Sequence, residues 1–108
     1  MSDVVSKDAG QDLLALAPLL GAIGDSSRWA ILSALSDGQP RMVVELANLL
    51  DRSQDSVSKH LKVLKNAGVV VTGQAGMYRI PARFFPEPGK PLLDFGFLTL
   101  RLDVKAPA

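Results

Sequence analysis

Apolar side chains in the middle of the chain recur with the period of an α-helix. Val57, Leu61 and Leu64 stand at i, i+4 and i+7, which places three aliphatic side chains on one helix face. Ser53 precedes this stripe as an N-cap residue, and Gly68 follows it where a helix often ends in the left-handed conformation. The pattern predicts one amphipathic helix of about four turns, over residues 53–67.

The opposite face of this helix is polar. Short hydrogen-bonding side chains come first along the chain and lysines follow. This order is typical of a helix whose first turns reach base edges while its flanks meet phosphates. The alternative interpretation is a solvated surface helix, because many such helices also carry lysines and serines. The outward face and the first turn comprise Gln54, Asp55, Ser56, Ser58, Lys59, Lys62 and Asn66.

The spacing of apolar residues over 11–23 predicts an apolar first helix. Pro18 lies inside this stretch, so the helix either kinks there or begins near it. The helix is apolar on more than one side, and a chain of 108 residues offers little to cover it. We therefore expect a second subunit to cover part of it. Its stripe consists of Leu13, Leu16, Ala17, Leu20 and Ile23.

Two short helices come next, at residues 26–35 and 44–50. Asp25 is the expected N-cap of the first, and a turn at 36–40 separates the two. Trp29 stands at helical spacing beside aliphatic residues, so we interpret it as a core residue. The second short helix and the amphipathic helix form a helix-turn-helix unit.

After Gly68 the apolar period changes from 3.6 to 2. Residues 69–72 and 77–80 are β-prone, and two glycines lie in the intervening 73–76, which predicts a hairpin. A helix-turn-helix followed directly by a hairpin is the winged-helix arrangement. The hairpin tip is uncharged, so Arg79 is the only basic residue of the hairpin.

The tail departs from helical periodicity. Four prolines exclude a helix through 81–91, and the alternation over 92–104 predicts one final strand. That strand pairs either with the wing or with its counterpart in a second subunit, since an exposed apolar edge is a liability. The fold class is therefore α+β, mostly α, with four helices, a hairpin wing and an extra C-terminal strand. The dimerisation residues that we predict are Leu13, Leu16, Leu20, Phe95 and Phe97.

Composition narrows the class of protein. The chain has no cysteine, which excludes disulfides and thiolate chemistry. Neither a signal peptide nor an apolar run of membrane-spanning length is evident, so we expect a cytoplasmic protein. The net charge is +1, but residues 41–83 hold seven basic and three acidic groups while residues 1–40 hold two and five. This polarity favours one surface that faces a polyanion.

From about residue 20 to residue 80 the chain resembles the ArsR/SmtB family of bacterial winged-helix repressors. Residues 22–35, the Val-Glu-Leu-Ala sequence at 44–47 and residues 53–70 carry the resemblance. It implies a homodimer that binds an imperfect palindromic operator and blocks transcription until a signal lowers its affinity. From the residues themselves we expect a flexible N-terminus at 1–10, a winged helix-turn-helix DNA-binding domain at 11–83, and a Pro-rich segment with a C-terminal strand at 84–108 as the dimerisation element.

The sequence departs from the metal sensors of that family. Those proteins use cysteines in the third helix, or histidines and carboxylates in a C-terminal helix, whereas His60 is the only histidine here. A site for a borderline metal needs three or four nitrogen or sulfur ligands, so we expect no metal and no other cofactor. We expect His60 to pack and hydrogen-bond. The family likewise ends in a long dimerising helix, which the prolines exclude here.

No sequence motif of an enzyme is present. We therefore predict a DNA-binding regulator, and the inducer, if there is one, cannot be identified from the sequence. The alternative is a winged-helix module for protein contacts, antitoxin-like or adaptor-like, which the uncharged wing and Asp55 favour. The predicted base contacts are Gln54, Ser56, Ser58 and Lys59, and the predicted phosphate contacts are Lys62, Lys65 and Arg79.

Overall fold

The computed structural model describes residues 17–103. Helix α1 occupies 17–23 within that range, and the N-terminal segment 1–10 and the predicted dimerisation residues Leu13 and Leu16 lie outside it. The expected α+β, mostly α winged helix-turn-helix is confirmed. The remaining elements are α2 (Ser26–Ala34), α3 (Val43–Leu50), α4 (Gln54–Asn66), β1 (Val71–Thr72), β2 (Tyr78–Arg79), β3 (Leu92–Asp94) and β4 (Thr99–Arg101).

The aliphatic stripe of α4 lies at the centre of the core. Val57, Leu61 and Leu64 are each 0% exposed, and α4 packs against both α2 and α3. The predicted inward face of this helix is confirmed. The other buried side chains of this core are Leu19, Ala22, Ile23, Ile31, Leu32, Leu35, Leu46, Ala47, Val69, Val70, Ile80, Leu93 and Leu102.

Side-chain caps begin two of these helices, as the sequence predicts. The Asp25 carboxylate accepts hydrogen bonds from the first turn of α2, and the Ser53 hydroxyl accepts one from the backbone N–H of Ser56 at the start of α4. Each cap satisfies backbone donors that have no partner inside the helix. Trp29 is half-buried and packs against the core, as expected.

Two left-handed residues fix the ends of α3 and α4. Asp51 has φ 53° and Gly68 has φ 81°. The residue after each of them donates a hydrogen bond back to the helix. Arg52 N–H donates to Ala47 O at 3.0 Å, and Val69 N–H donates to Leu64 O at 3.0 Å. Both bonds have the 6→1 spacing of a Schellman motif, which satisfies helix-end carbonyls and turns the chain sharply.

The wing is a short antiparallel hairpin that directly follows α4. Val71 pairs with Arg79 and Thr72 with Tyr78, and the tip at Gln74–Gly76 forms a single 3₁₀ turn. The extended residue Arg41, which precedes α3, exchanges two backbone hydrogen bonds with Tyr78, of 2.9 and 2.8 Å. The wing is therefore tied to the start of the helix-turn-helix as well as to its end.

The prediction of a single final strand is wrong, because the tail forms two strands. Strands β3 and β4 pair antiparallel within the chain, with Leu93 opposite Leu100. The turn between them depends on Gly96, whose φ is 92° and whose N–H donates to the Asp94 carboxylate at 2.8 Å. Because Leu93 is 0% and Leu102 5% exposed, this hairpin packs into the core through β3 and the end of β4.

We expect Leu61→Ala to lower the free energy of unfolding by about 2–5 kcal/mol, because it removes a wholly buried side chain and leaves a cavity. Val63→Ala is the matched control on the same helix. Val63 is 40% exposed, so its truncation should change stability by no more than about 0.5 kcal/mol. Urea unfolding of both variants measures the difference. Equal losses would show that α4 is not anchored through this stripe.

Candidate nucleic-acid interface

The outward flank of α4 is the most exposed polar surface near the helix-turn-helix. Burial of the aliphatic stripe forces the other residues of the helix outward, since side chains that differ by about 180° around the axis cannot face the same way. Ser56 is half-buried in the first turn. The exposed polar residues of α4 are Gln54, Asp55, Ser58, Lys59, Lys62, Lys65 and Asn66.

The lysines of this flank have no carboxylate partner within residues 17–103. Every ion pair found there is elsewhere, on Arg41, Lys90 or Arg101. Three ammonium groups thus face solvent beside a single carboxylate, that of Asp55. That carboxylate lies in the first turn, where the helix dipole stabilises a negative charge. The flank is therefore cationic overall, with its neutral hydrogen-bonding groups at the N-terminal end.

Two of the predicted DNA contacts are less accessible than the others. Ser56 is half-buried, next to the cap of α4. Arg79 is half-buried on β2 and lines a cavity of about 200 Å³ together with Asp37, Phe85 and other residues between the α2–α3 turn and the Pro-rich segment. The structure thus brings Gln54 together with the other exposed residues of α4, but it sets Arg79 apart, on the wing.

One further basic residue belongs to this surface, although the sequence analysis did not select it. Arg52 is exposed and stands two residues before α4. Its guanidinium donates to the hydroxyl of Ser27 on α2. The signal available in the sequence was a basic residue directly before the N-cap of α4, because groups at a helix N-terminus often bind anions.

A polar cluster joins α1, α2 and α4 behind the interface. The Arg28 guanidinium donates to the carbonyls of Gly21 and Ala22 at the end of α1 and lies 3.2 Å from Nδ1 of His60 on α4. His60 is half-buried, and its expected packing and hydrogen-bonding role agrees with this contact. The backbone N–H of Arg28 lowers the pKa of the Asp25 carboxyl below its ordinary value of 3.8, and the N–H of Ser27 acts in the same direction.

Two of the three predicted dimerisation residues that the structure describes, Phe95 and Phe97, line one groove. Leu20 is 46% and Phe97 40% exposed, and Phe95 is half-buried. The rings of Phe84 and Phe95 pack at an interplanar angle of 57° with their centroids 4.7 Å apart. Leu19 of α1 and Phe97 line the same groove, of about 250 Å³. The buried Leu19 of α1 thus neighbours Phe95 and Phe97 of the tail, whereas the exposed Leu20 does not line this groove.

The described residues form neither a metal site nor a membrane-spanning helix. Among residues 17–103, no three histidine, aspartate or glutamate side chains converge on a point that could hold a metal ion. No helix in the same range is both long and apolar enough to cross a membrane.

Comparison with known proteins gives a consistent result. Residues 25–72 match the family described as "Bacterial regulatory protein, arsR family". The HTH-type transcriptional regulator YuzN of Bacillus subtilis, itself uncharacterized, is 38% identical over 78 residues, which cover 67% of this chain and 84% of YuzN. The HTH-type transcriptional regulator Rv2034 of Mycobacterium tuberculosis is 46% identical over 59 residues, which cover 55% of this chain and 54% of Rv2034.

A solved structure agrees with the sequence relatives. Reduced HlyU from Vibrio cholerae superimposes with a TM-score of 0.60 at 29% identity, over 70% of this chain and 82% of HlyU. The family match and the relatives, which are named transcriptional regulators, show that the chain is a DNA-binding regulator of transcription. The chain belongs to the ArsR family. The resemblance seen in the sequence is confirmed.

The Asp25 carboxylate should stabilise the fold most while it is ionised. Because its pKa is lowered on folding, its contribution is fully present above the unfolded value of 3.8 and is lost as the pH falls through the lower, folded value. Urea unfolding should therefore show Asp25→Ala less stable than wild type at pH 7, with a difference that shrinks below pH 3.8. Asp25→Asn keeps the cap without its charge and should retain its advantage over Asp25→Ala in acid. A wild-type advantage that is as large in acid as at pH 7 would contradict the assignment.

Proposed function

We propose that this regulator is a homodimeric repressor that acts in the cytoplasm and binds a palindromic operator in or near a promoter. The observation that carries the proposal is the cationic outward flank of α4, which is exposed and has no carboxylate partner within residues 17–103. The proposal goes beyond the regulator class established above, because it specifies the symmetry of the operator, the oligomeric state of the protein and the residues that contact DNA. The proposal includes no metal or thiol sensor and leaves the inducer unassigned.

The two ends of α4 have different tasks in this proposal. Gln54, Ser56, Ser58 and Lys59 contact base edges in the major groove, because the N-terminal turns of a recognition helix approach the bases most closely. Lys62, Lys65 and Arg79 bind phosphates and set the register of the protein on the duplex. Among the first group, Gln54 has the most distinctive chemistry, since its amide can donate to and accept from one adenine edge at once.

The dimer would form through the apolar residues at α1 and the tail, namely Leu13, Leu16, Leu20, Phe95 and Phe97. Residues 84–108 then contribute both to the core of their own subunit, through Leu93, and to the contact between subunits. A two-fold axis at this surface presents two copies of α4 on one side of the dimer. Two such helices enter successive major grooves when they lie about 34 Å apart.

We expect Lys62→Ala to weaken binding to all DNA sequences by a similar factor. We expect Gln54→Ala to reduce the preference for one base at one operator position. Each lost phosphate contact makes the log–log salt slope shallower by about 0.9, hence by roughly 1.8 for both subunits of a dimer. Loss of a bidentate base contact costs about 1–3 kcal/mol of discrimination against the wrong base. Selection from random DNA gives the operator, and titrations of the selected and scrambled duplexes at several salt concentrations separate the two effects.

Lys90→Ala is the matched control for the phosphate contact. Lys90 lies in the Pro-rich segment and pairs with Glu87 at 2.8 Å, so its removal should leave the salt slope unchanged. If Lys62→Ala behaved like Lys90→Ala, the outward flank of α4 would not be the DNA surface. A protein-contact module would show no salt-dependent DNA binding with any variant, and its partner would be retained after DNase treatment.

The dimer surface is tested with a matched pair of leucines. We expect Leu20→Glu to raise the dimer dissociation constant by roughly tenfold to a hundredfold, because an unpaired charge in an interface costs a few kcal/mol. Leu49→Glu places the same charge at a more exposed site on α3 and should leave the dimer intact. Sedimentation velocity measures both. If Leu49→Glu dissociated the dimer and Leu20→Glu did not, the interface would lie at α3 and not at α1.

A further inference from the structure

Arg28 of α2 makes an unusual set of contacts. Its Nη2 donates to Gly21 O at 3.2 Å and its Nε donates to Ala22 O, both in the last turn of α1. Its Nη1 lies 3.2 Å from Nδ1 of His60, in the middle of α4. One half-buried guanidinium therefore contacts α1 and α4 simultaneously, from a third helix that touches both.

The contacts with α1 have a clear physical reason. The last carbonyls of a helix have no N–H partner within that helix. A cationic side chain satisfies them and also interacts favourably with the negative end of the helix dipole. The planar guanidinium fixes both carbonyls at once, which an ammonium group cannot do with the same geometry. Arg28 thus holds the end of α1 in one orientation relative to α2.

The contact with α4 determines the state of the imidazole. Arginine is always protonated and can only donate, so Nδ1 of His60 must accept and the proton of the neutral ring is on Nε2. His60 lies at the edge of α4 between its buried stripe and its exposed flank. The ring of His60 is therefore the point at which α4 meets the cluster.

We infer that Arg28, acting through His60, is the positioning residue that sets the orientation of the recognition helix relative to α1. The inference rests on the proposed dimeric operator, in which α1 contributes to the contact between subunits and α4 reads DNA. In that assembly, the angle between α1 and α4 within one subunit fixes the distance between the two copies of α4. Arg28 would then determine which spacing of half-sites the dimer accepts, although it does not touch DNA.

The test measures the affinity of the full chain for operators with different half-site spacing. Probes carry the selected half-sites about one helical turn apart, or with one or two base pairs added or removed. We expect wild type to prefer one spacing and Arg28→Met to reduce that preference by about threefold to tenfold, the range typical of coupling residues. Arg101→Met is the matched control, because Arg101 is on β4 and pairs only with Asp103 among residues 17–103.

Variants of His60 test the contact between Arg28 and His60 and leave in place the hydrogen bonds from Arg28 to the carbonyls at the end of α1. His60→Leu should reproduce the loss of spacing preference, whereas His60→Gln, which keeps an acceptor for the guanidinium, should restore most of it. The double variant Arg28→Met/His60→Leu should be no worse than either single variant if the two residues act as one unit. Thermal unfolding and dimer dissociation constants are measured alongside for each protein.

The possible outcomes separate the inference from the function on which it rests. If wild type shows no spacing preference, the palindromic operator is rejected and the inference falls with it. If wild type has a preference and Arg28→Met or His60→Leu weakens binding equally at every spacing, the two residues have only a structural role and the inference alone is overturned. Additive effects in the double variant would overturn it as well.

Discussion

Burial of one aliphatic stripe determines what this protein can present to DNA. Val57, Leu61 and Leu64 are wholly buried, and burial of three such side chains contributes on the order of 5–9 kcal/mol. That is comparable with the total stability of a small domain, about 5–15 kcal/mol. Rotation of α4 by even one residue would expose part of the stripe, so the helix can change its position only together with its core.

The connections at both ends of α4 add to this constraint. A left-handed Asp51 turns the chain sharply into α4, and a left-handed Gly68 turns it out again. The wing that follows is fixed a second time through Tyr78, which pairs with Arg41 ahead of α3. Helix α4 and the wing are therefore parts of one unit, and the orientation of that unit relative to α1 is the remaining variable in the proposed dimer.

Local patterns predicted the helices and the wing because each of these elements is specified by neighbouring residues. Periodicity gave the buried faces, and Asp25, Ser53 and Gly68 marked the boundaries. The two strands of the tail were harder to predict, because an alternating pattern over 92–104 is compatible with one long strand as well as with two short ones. Gly96 was the available signal for the turn. The contact of Arg28 with His60 spans 32 residues, and the bridge from Arg41 to Tyr78 is similarly non-local, so no local pattern encodes either.

The separation of tasks around α4 has a consequence for specificity. Gln54, Ser58 and Lys59 are exposed and take no part in the core, so replacing them alters the chemistry offered to a base without creating a cavity. Surface substitutions of this kind usually change stability by no more than about 0.5 kcal/mol. A new operator can therefore be read by the same fold, provided that the stripe behind the helix is kept. In the proposed function, sequence preference and stability reside on opposite faces of one helix, and each can vary while the other is preserved.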